Sequence, residues 1–370
     1  MSGFYIGLMS GTSLDGVDAV LVDFDRPQAH VLGHTSAPMP DALRAELLAL
    51  NSPTDNELHR AALAANGLVR LYADQVRVLL QHCGVNPTAV KAIGAHGQTV
   101  RHRPQEFDGT GYTLQLNNPA LLAELCGIPV VADFRSRDVA AGGQGAPLVP
   151  PFHQAFFGKP EQTLAVLNIG GISNITLLDP AATDVLGFDC GPGNALMDAW
   201  CLAHTGQAFD EAGRWAAQGQ VHAQLLARLR DEPFFAKPPP KSTGRDLFNS
   251  QWLAAKLTAM EAVPPQDVQA TLTELTALAC ARSLLDTSAD CKNLVVCGGG
   301  ALNDYLMSRL QASLPNCAVI SSAERGLPPL QVEATAFAWL ARQTLQGKTS
   351  SLKSVTGARG ARILGGIYPV

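Results

Sequence analysis

The chain opens with two short apolar runs separated by a polar turn. FYIGLM (Phe4–Met9) is followed by SGTSLDG and then by VDAVLVDF (Val17–Phe24), in which apolar and polar residues alternate. This pattern on both sides of a turn rich in Gly, Ser and Asp predicts a β-hairpin. A second hairpin of the same kind is predicted at Thr163–Asp179, where the turn holds Gly170 and Gly171. The sequence therefore predicts two hairpins of the same kind, one in each half of the chain.

A third Gly-rich element lies at Asn293–Leu310. Its sequence, NLVVCGGGALNDYLMSRL, predicts a buried strand that runs into an amphipathic helix opened by Gly298–Gly300. Bare backbone at the positive end of a helix suits a nucleotide or its phosphates. A tight strand-to-helix turn without a ligand explains the glycines equally well.

The rest of the chain alternates between helical and strand periodicity. Helices are predicted at Asp41–Leu50, Asn56–His82, Pro119–Cys126, Asn194–His204, Val221–Arg230, Leu247–Met260, Gln266–Thr287 and Thr335–Leu345. Strands are predicted at Ala89–Gly97, Tyr112–Leu116, Ile128–Phe134, Val185–Asp189 and within 362–370. The mixture predicts an α/β architecture. The Gly- and Pro-rich stretch 138–153 is interpreted as the passage between a first domain (1–137 with 346–370) and a second (138–345).

Composition narrows the class of protein. With 370 residues, 46% of them hydrophobic, the chain can bury two domain cores. Only 16% are charged and the net charge is −5, so no basic face for nucleic acid is expected. No apolar run approaches the ~18 residues of a membrane span, and no signal segment is evident. Eight cysteines without a CxxC pair are typical of reduced thiols in a cytosolic protein.

The hairpin turns are the candidate phosphate sites. Gly11 and Gly16 can adopt positive φ and let a ligand approach the backbone, and successive N–H groups of the loop can then cradle a phosphate. Asp15 and Asp18 supply carboxylates suited to a Mg²⁺ that keeps its water. The candidate ATP and phosphate residues are Gly11, Thr12, Ser13, Leu14, Asp15, Gly16, Val17, Asp18, Gly170, Gly171, Asn174, Gly298, Gly299, Gly300 and Asn303. An ordinary turn explains any one loop, but the repetition favours phosphate binding.

Asp189 is the candidate catalytic residue. It ends a predicted strand, and Gly191–Gly193 are expected to turn the chain sharply so that Asn194 caps the next helix. Ligands of α/β sheets bind outside the carboxyl ends of strands, so this carboxylate is expected in a site. The alternative is an aspartate that only caps the helix.

Further polar residues at strand ends and a helix start are candidates for binding a substrate. They are His96, Gln98, Arg135, Asn194 and Glu333. His96 either bonds a substrate hydroxyl or is a satisfied histidine near the core, whereas the Gln98 amide can bond hydroxyls in two directions. Arg135 and Arg137 suit a substrate carboxylate, or they pair with neighbouring aspartates. Lys241 and Arg245 either contact substrate or are solvated charges.

Two phosphate-type hairpins in two halves resemble the arrangement of actin-like sugar kinases and chaperone ATPases. Seven longer motifs closely resemble the bacterial anhydro-N-acetylmuramic acid kinases. They are MSGTSLDGVD (Met9–Asp18), AIGAHGQTVRH (Ala92–His102), VADFRSRDVAAGGQGAPLVP (Val131–Pro150), LNIGGISN (Leu167–Asn174), GFDCGPGNALMDAW (Gly187–Trp200), KSTGRD (Lys241–Asp246) and CGGGALN (Cys297–Asn303). The resemblance implies a two-domain actin-like (ribonuclease H-like) ATPase fold with a cleft between the domains.

The resemblance also implies a reaction. An ATP- and Mg²⁺-dependent enzyme would open 1,6-anhydro-N-acetylmuramic acid with water and phosphorylate O6, with Asp189 as general base. The protein would be a cytoplasmic homodimer that recycles cell-wall sugars and has no nucleic-acid or membrane partner. Other functions fit the same fold: a plain sugar kinase acting on a free hydroxyl, a chaperone-like ATPase and a filament-forming actin relative.

Overall fold

The chain forms two compact units. The computed structural model describes residues 3–11, 13–26, 28–159, 161–182, 184–239, 241–245, 247–258 and 260–370. One unit comprises Met1–Phe156 with Gln331–Val370, and the other comprises Phe157–Leu330.

The first unit contains a six-stranded sheet. Its elements are β1 (Phe4–Met9), β2 (Gly16–Asp23), β3 (His30–Pro38), α1 (Asp41–Ala49), α2 (Glu57–Cys83), β4 (Val90–Ala95), β5 (Gln98–Pro104), β6 (Gly111–Leu116), α3 (Pro119–Cys126), β7 (Val130–Ala132), α4 (Ser136–Ala140) and α5 (Pro150–Phe157), the last of which ends at the boundary. The chain's final elements, given below, complete the unit. The sheet order is β3-β2-β1-β4-β7 and then the chain's last strand, whereas β5 and β6 form a separate antiparallel ribbon.

The second unit repeats this sheet. Its elements are β8 (Leu164–Ile169), β9 (Ile172–Leu178), β10 (Leu186–Pro192), α6 (Asn194–Thr205), α7 (Ala223–Arg230), α8 (Pro233–Ala236), α9 (Ser250–Leu257), α10 (Pro265–Thr287), β11 (Asn293–Cys297), α11 (Asp304–Ser313) and β12 (Ala318–Ser321). The chain then returns to the first unit with α12 (Val332–Leu345), α13 (Lys353–Thr356) and β13 (Gly366–Tyr368). The second sheet has the order β10-β9-β8-β11-β12.

Strand direction shows that the two sheets are built alike. In each, the first strand pairs antiparallel with the second, the second antiparallel with the third, and the first parallel with the fourth. The fourth strand then pairs parallel with the fifth in both units. This order, third-second-first-fourth-fifth, is the sheet of the actin-like, ribonuclease H-like fold, so the predicted fold class is confirmed.

The bounds of the compact units differ from the predicted domain bounds, which follow residues 137 and 345. Buried Asp138 accepts hydrogen bonds from Gly145 N and from Thr356 Oγ1, both at 2.8 Å. These contacts join the Gly- and Pro-rich stretch to the end of the chain, and both lie in the first compact unit. The end of α4 and the first half of α5 also lie in that stretch, and its Gly and Pro content concealed them.

The first sheet carries a core on each face. Ile6 and Leu8 of β1 lie in a cluster with α1, α2 and α3, whereas Tyr5 and Met9 lie with α12 on the other face. This is the result of the period-2 alternation of a strand. Within the described ranges, no helix is both long and apolar enough to span a membrane.

Helix α12 lies unusually close to the first sheet because two strands present glycine to it. A Cβ on Gly7 would lie 1.8 Å from the carbonyl oxygen of Ala334, and one on Gly94 would lie 2.0 Å from that of Phe337. Neither position accommodates a side chain unless the helix moves.

We predict that Gly94→Ala lowers the free energy of unfolding by about 1–3 kcal/mol, the usual cost of overpacking. Gly67→Ala is the matched control, because its Cβ would meet only the Leu43 side chain at 3.4 Å and alanine favours the helix. Urea unfolding measures both variants. Equal stability of the two would contradict the proposed close contact.

Candidate active site

The first hairpin closes through a tight loop between β1 and β2. Leu14 N donates to Gly11 O at 3.2 Å, and Leu14 adopts φ 58°. Gly11 and Gly16 do not adopt the positive φ that glycine allows. Gly16 is required for another reason: a Cβ would lie 2.4 Å from the carbonyl oxygen of Ala37 on β3. Among the described residues other than its chain neighbours, only Ser13 lies within 4 Å of a Cβ built on Gly11.

The side chains of Leu14 and Val17 belong to the hydrophobic core, at 3% and 1% exposure. The predicted phosphate contacts at these two positions are therefore restricted to their backbone. Thr12, another predicted phosphate residue, lies outside the described residues.

The two candidate metal carboxylates have different partners. Asp15 Oδ1 accepts from Ser13 Oγ at 2.7 Å and from Gly16 N at 3.0 Å, which fixes it within the loop. Asp18 Oδ1 lies 2.8 Å from His34 Nε2. No cluster of three or more His, Cys, Asp or Glu that could hold a metal is found in the described ranges. One or two carboxylates nevertheless fit a Mg²⁺ whose other ligands are water and phosphate.

Gln98 joins the β5–β6 ribbon to the loop between β1 and β2. Its Nε2 donates to Gly11 O at 3.1 Å, and the residue is 1% exposed. Its Oε1 is buried and has no hydrogen-bond partner among the described residues. The sequence predicted a substrate contact and gave no sign that this side chain also supports the loop.

His96 and Arg135 are brought together behind this loop. His96 is 5% exposed and its two ring nitrogens face Gly97 O and the Arg135 guanidinium. Of the two predicted alternatives for His96, a substrate contact or a satisfied histidine near the core, the geometry fits the second. Arg135 Nη1 also donates to Gly145 O at 2.8 Å. Glu333 lies in the first turn of α12, four residues before the Phe337 ring that packs on His96.

Arg137 lies in different surroundings from Arg135. It lines a cavity of about 680 Å³ in the first unit together with Asp133, Thr349 and Arg362. Asp133, one of the aspartates near both arginines in the sequence, accepts a hydrogen bond from Ser136 Oγ at 2.5 Å.

In the second unit, the start of α6 packs on the second hairpin turn. Asn194 N donates to Gly170 O at 2.8 Å and Ala195 N to Gly171 O at 3.2 Å. The predicted cap at Asn194 was wrong, because Gly193 is the cap residue and Asn194 Nδ2 donates to Ile169 O at 3.1 Å. These N–H groups already have acceptors, which weakens any role for this helix start in binding an anion.

Asp189 lies in a row of polar side chains that crosses three strands. Asn168 pairs with Asn174, and Asn174 pairs with Asp189, so the three project on one face. Phe188 and Cys190 point to the core on the opposite face. The Oδ1 of Asn174 is buried and has no hydrogen-bond partner among the described residues.

The loop that follows α8 holds Asp189 in place. Thr243 N donates to Asp189 Oδ2 at 2.9 Å, and Asp189 N donates to Lys241 O at 3.0 Å. The sequence predicted Lys241 either as a substrate contact or as a solvated charge, and it did not predict these backbone contacts of Lys241 and Thr243 with Asp189. The predicted sharp turn after Asp189 was also wrong: β10 continues to Pro192 through a bulge, with Gly191 at φ 144°.

The third glycine element differs from its prediction. Gly298–Gly300 do not open α11, because a 3₁₀ turn over 299–302 intervenes and the Asn303 side chain caps α11 by accepting from Leu306 N at 2.9 Å. A Cβ on Gly298 would lie 2.5 Å from Asn168 Oδ1. The glycines therefore allow the turn to pack on β8, beside the polar row of Asp189.

Comparison with known proteins decides the family. The family model described as Anhydro-N-acetylmuramic acid kinase matches residues 3–370. Proteins of that name from Albidiferax ferrireducens and Variovorax paradoxus are 66% and 65% identical. The first alignment covers 100% of both chains, and the second covers 99% of this chain and 98% of the relative. This chain belongs to the anhydro-N-acetylmuramic acid kinase family.

Similarity of this family member to solved structures is weaker. The activator of the 2-hydroxyisocaproyl-CoA dehydratase from Clostridium difficile, solved with bound ADPNP, is 12% identical with a TM-score of 0.49. The alignment covers 93% of this chain and 96% of the activator. A structural similarity at this TM-score is too weak to assign the fold, so the fold is assigned from the strand order.

Three histidines of the first unit should make this family member sensitive to acid. Burial lowers the pKa from 6.5 to about 3 for His96, about 4 for His102 and about 3 for His153, and the Arg135 charge adds to the first two shifts. Because these pKa values are depressed, the stability they confer is present above pH 6.5 and is lost as the pH falls toward 4.

We predict that each histidine lowers the free energy of unfolding by up to about 1.4 kcal/mol per pH unit below 6.5. Urea unfolding at about pH 7.5 and pH 5.5 measures the change, since most carboxylates stay ionised over that range. Identical unfolding midpoints at the two pH values would contradict the prediction.

Proposed function

We propose that this chain phosphorylates 1,6-anhydro-N-acetylmuramic acid at the expense of ATP and opens the anhydro ring in the same reaction. The products are N-acetylmuramic acid 6-phosphate and ADP, and the role is the recycling of cell-wall sugars. The observation that carries the proposal is the full-length family match, with 66% identity to a kinase of that name.

Asp189 is the general base in this proposal. It takes a proton from water as the water oxygen forms a bond to C1 of the sugar. The bond from C1 to O6 breaks, and O6 receives the γ-phosphoryl group, so no second acid is needed to protonate it. The N–H of Thr243 supports the role because it fixes the direction of the carboxylate.

Backbone groups position the nucleotide phosphates, since phosphoryl transfer needs alignment and charge neutralisation more than covalent chemistry. The loop Gly11–Asp18 in the first unit, and the turn Gly170–Gly171 with Gly298 and Gly299 in the second, are the proposed contacts. Asp15 and Asp18 would hold Mg²⁺ through water, and the ion would neutralise phosphate charge.

Arg135 is the proposed partner of the lactyl carboxylate of the sugar, since a planar guanidinium suits a carboxylate. Gln98 and Glu333 remain proposed contacts of the sugar hydroxyls and amide. We also infer a cytoplasmic homodimer, an expectation that comes from the family.

We predict that Asp189→Asn lowers kcat by about 10²–10⁴-fold, the usual contribution of a general base. Binding of an ATP analogue, measured by calorimetry, should be unchanged. Asp290→Asn, an exposed carboxylate of the same unit, is the matched control and should retain full activity. A variant Asp189→Asn that folds and keeps its kcat would remove Asp189 from the mechanism.

A further inference from the structure

A chain of buried hydrogen bonds joins the start of the phosphate loop to Arg135. Tyr72 Oη lies 2.9 Å from Ser10 Oγ, and Ser10 Oγ donates to Gly97 O at 3.0 Å. The same carbonyl lies 2.6 Å from His96 Nδ1. On the other side of the ring, His96 Nε2 faces Arg135 Nε at 3.2 Å and Nη2 at 2.9 Å.

The donors and acceptors of this chain determine the tautomer of His96. A guanidinium has only donors, so Nε2 must accept and carries no proton. A carbonyl oxygen has only acceptor capacity, so Nδ1 must carry the proton and donate to Gly97 O. The imidazole is therefore neutral. A pKa lowered to about 3, by burial and by the Arg135 charge, agrees with this assignment.

Packing prevents the ring from turning away. The Phe337 ring of α12 lies 4.7 Å from the imidazole, centroid to centroid. Gly97 adopts φ 78°, and a Cβ there would lie 2.6 Å from the carbonyl oxygen of Leu116. Only glycine therefore places this carbonyl between the Ser10 hydroxyl and the imidazole.

We propose that His96 is a positioning residue that holds the Arg135 guanidinium in the direction needed to bind the substrate carboxylate. This inference rests on the proposed function and replaces the predicted direct contact between His96 and substrate.

A neutral acceptor suits this task better than a carboxylate would. His96 Nε2 and Gly145 O both fix the guanidinium without adding negative charge. An aspartate or glutamate in place of His96 would compete with the substrate carboxylate for the same cation, because two opposite charges at hydrogen-bond distance largely cancel. The buried histidine thus orients Arg135 without placing a negative charge beside it.

The test compares His96→Leu, which removes the acceptor, with His96→Gln, which supplies a side-chain carbonyl oxygen. We expect His96→Leu to raise the KM for the anhydro sugar by about 10–100-fold, as expected for a lost hydrogen bond to a charged group. The KM for ATP should stay within about twofold, and His96→Gln should recover most of the lost affinity, because a neutral acceptor again meets the guanidinium.

A double-mutant cycle separates positioning from a general loss of structure. In an Arg135→Ala background, His96→Leu should add little further increase in the KM for the sugar, because the group that it positions is already absent. His153→Gln, at a buried histidine on α5, is the matched control and should leave the KM for the sugar unchanged. Thermal unfolding of every variant identifies those that are folded.

Additive effects of His96→Leu and Arg135→Ala, or a folded His96→Leu with the wild-type KM for the sugar, would overturn the inference. Failure of the proposed function has a different signature, since the wild-type protein would then not turn over the anhydro sugar at all. If His96→Leu does not fold, His96→Gln with a KM for the sugar raised as far as in Arg135→Ala would also overturn it.

Discussion

Parallel pairing of β1, β4 and β7 is the constraint on which the candidate site of the first unit depends. The register pairs Leu8 with Ala95 and Ala95 with Ala132, so the three strands end at nearly the same level of the sheet. The chain therefore leaves them side by side, at the loop between β1 and β2, at His96 and just before Arg135. The buried hydrogen bonds from Ser10 through Gly97 to His96 then tie these strand ends together.

The second unit applies the same rule with different side chains. Parallel pairing of β8 with β11 sets Asn168 beside Cys297, so Gly298 packs against Asn168 and Ile169 at the end of β8. Antiparallel β9 and β10 extend the row to Asp189. One sheet design thus places Arg135 and the β1–β2 loop at the strand ends of one unit, and Asp189 beside glycine turns in the other.

The sequence was sufficient for the features that local patterns determine. Both hairpins, the strand before Asp189 and most helices follow from periodicity and turn residues, and the long motifs identified the family. Features that depend on contacts between distant residues were missed. The carbonyl oxygen of Ala37 leaves no room for a side chain at Gly16. The carbonyls of Gly170 and Gly171 accept hydrogen bonds from the start of α6, and the Arg135 guanidinium fixes the role of His96. No window of the sequence contains those pairs.

The most direct test of the account is turnover of 1,6-anhydro-N-acetylmuramic acid with ATP and Mg²⁺ in ¹⁸O-water, followed by mass spectrometry. The account predicts a phosphorylated product with one ¹⁸O at C1, because water attacks there as O6 is phosphorylated. Preformed product kept in ¹⁸O-water for the same time measures exchange at the reducing end, and it should gain less label. Phosphorylation of free N-acetylmuramic acid, with no turnover of the anhydro sugar, would contradict the account and indicate a plain sugar kinase.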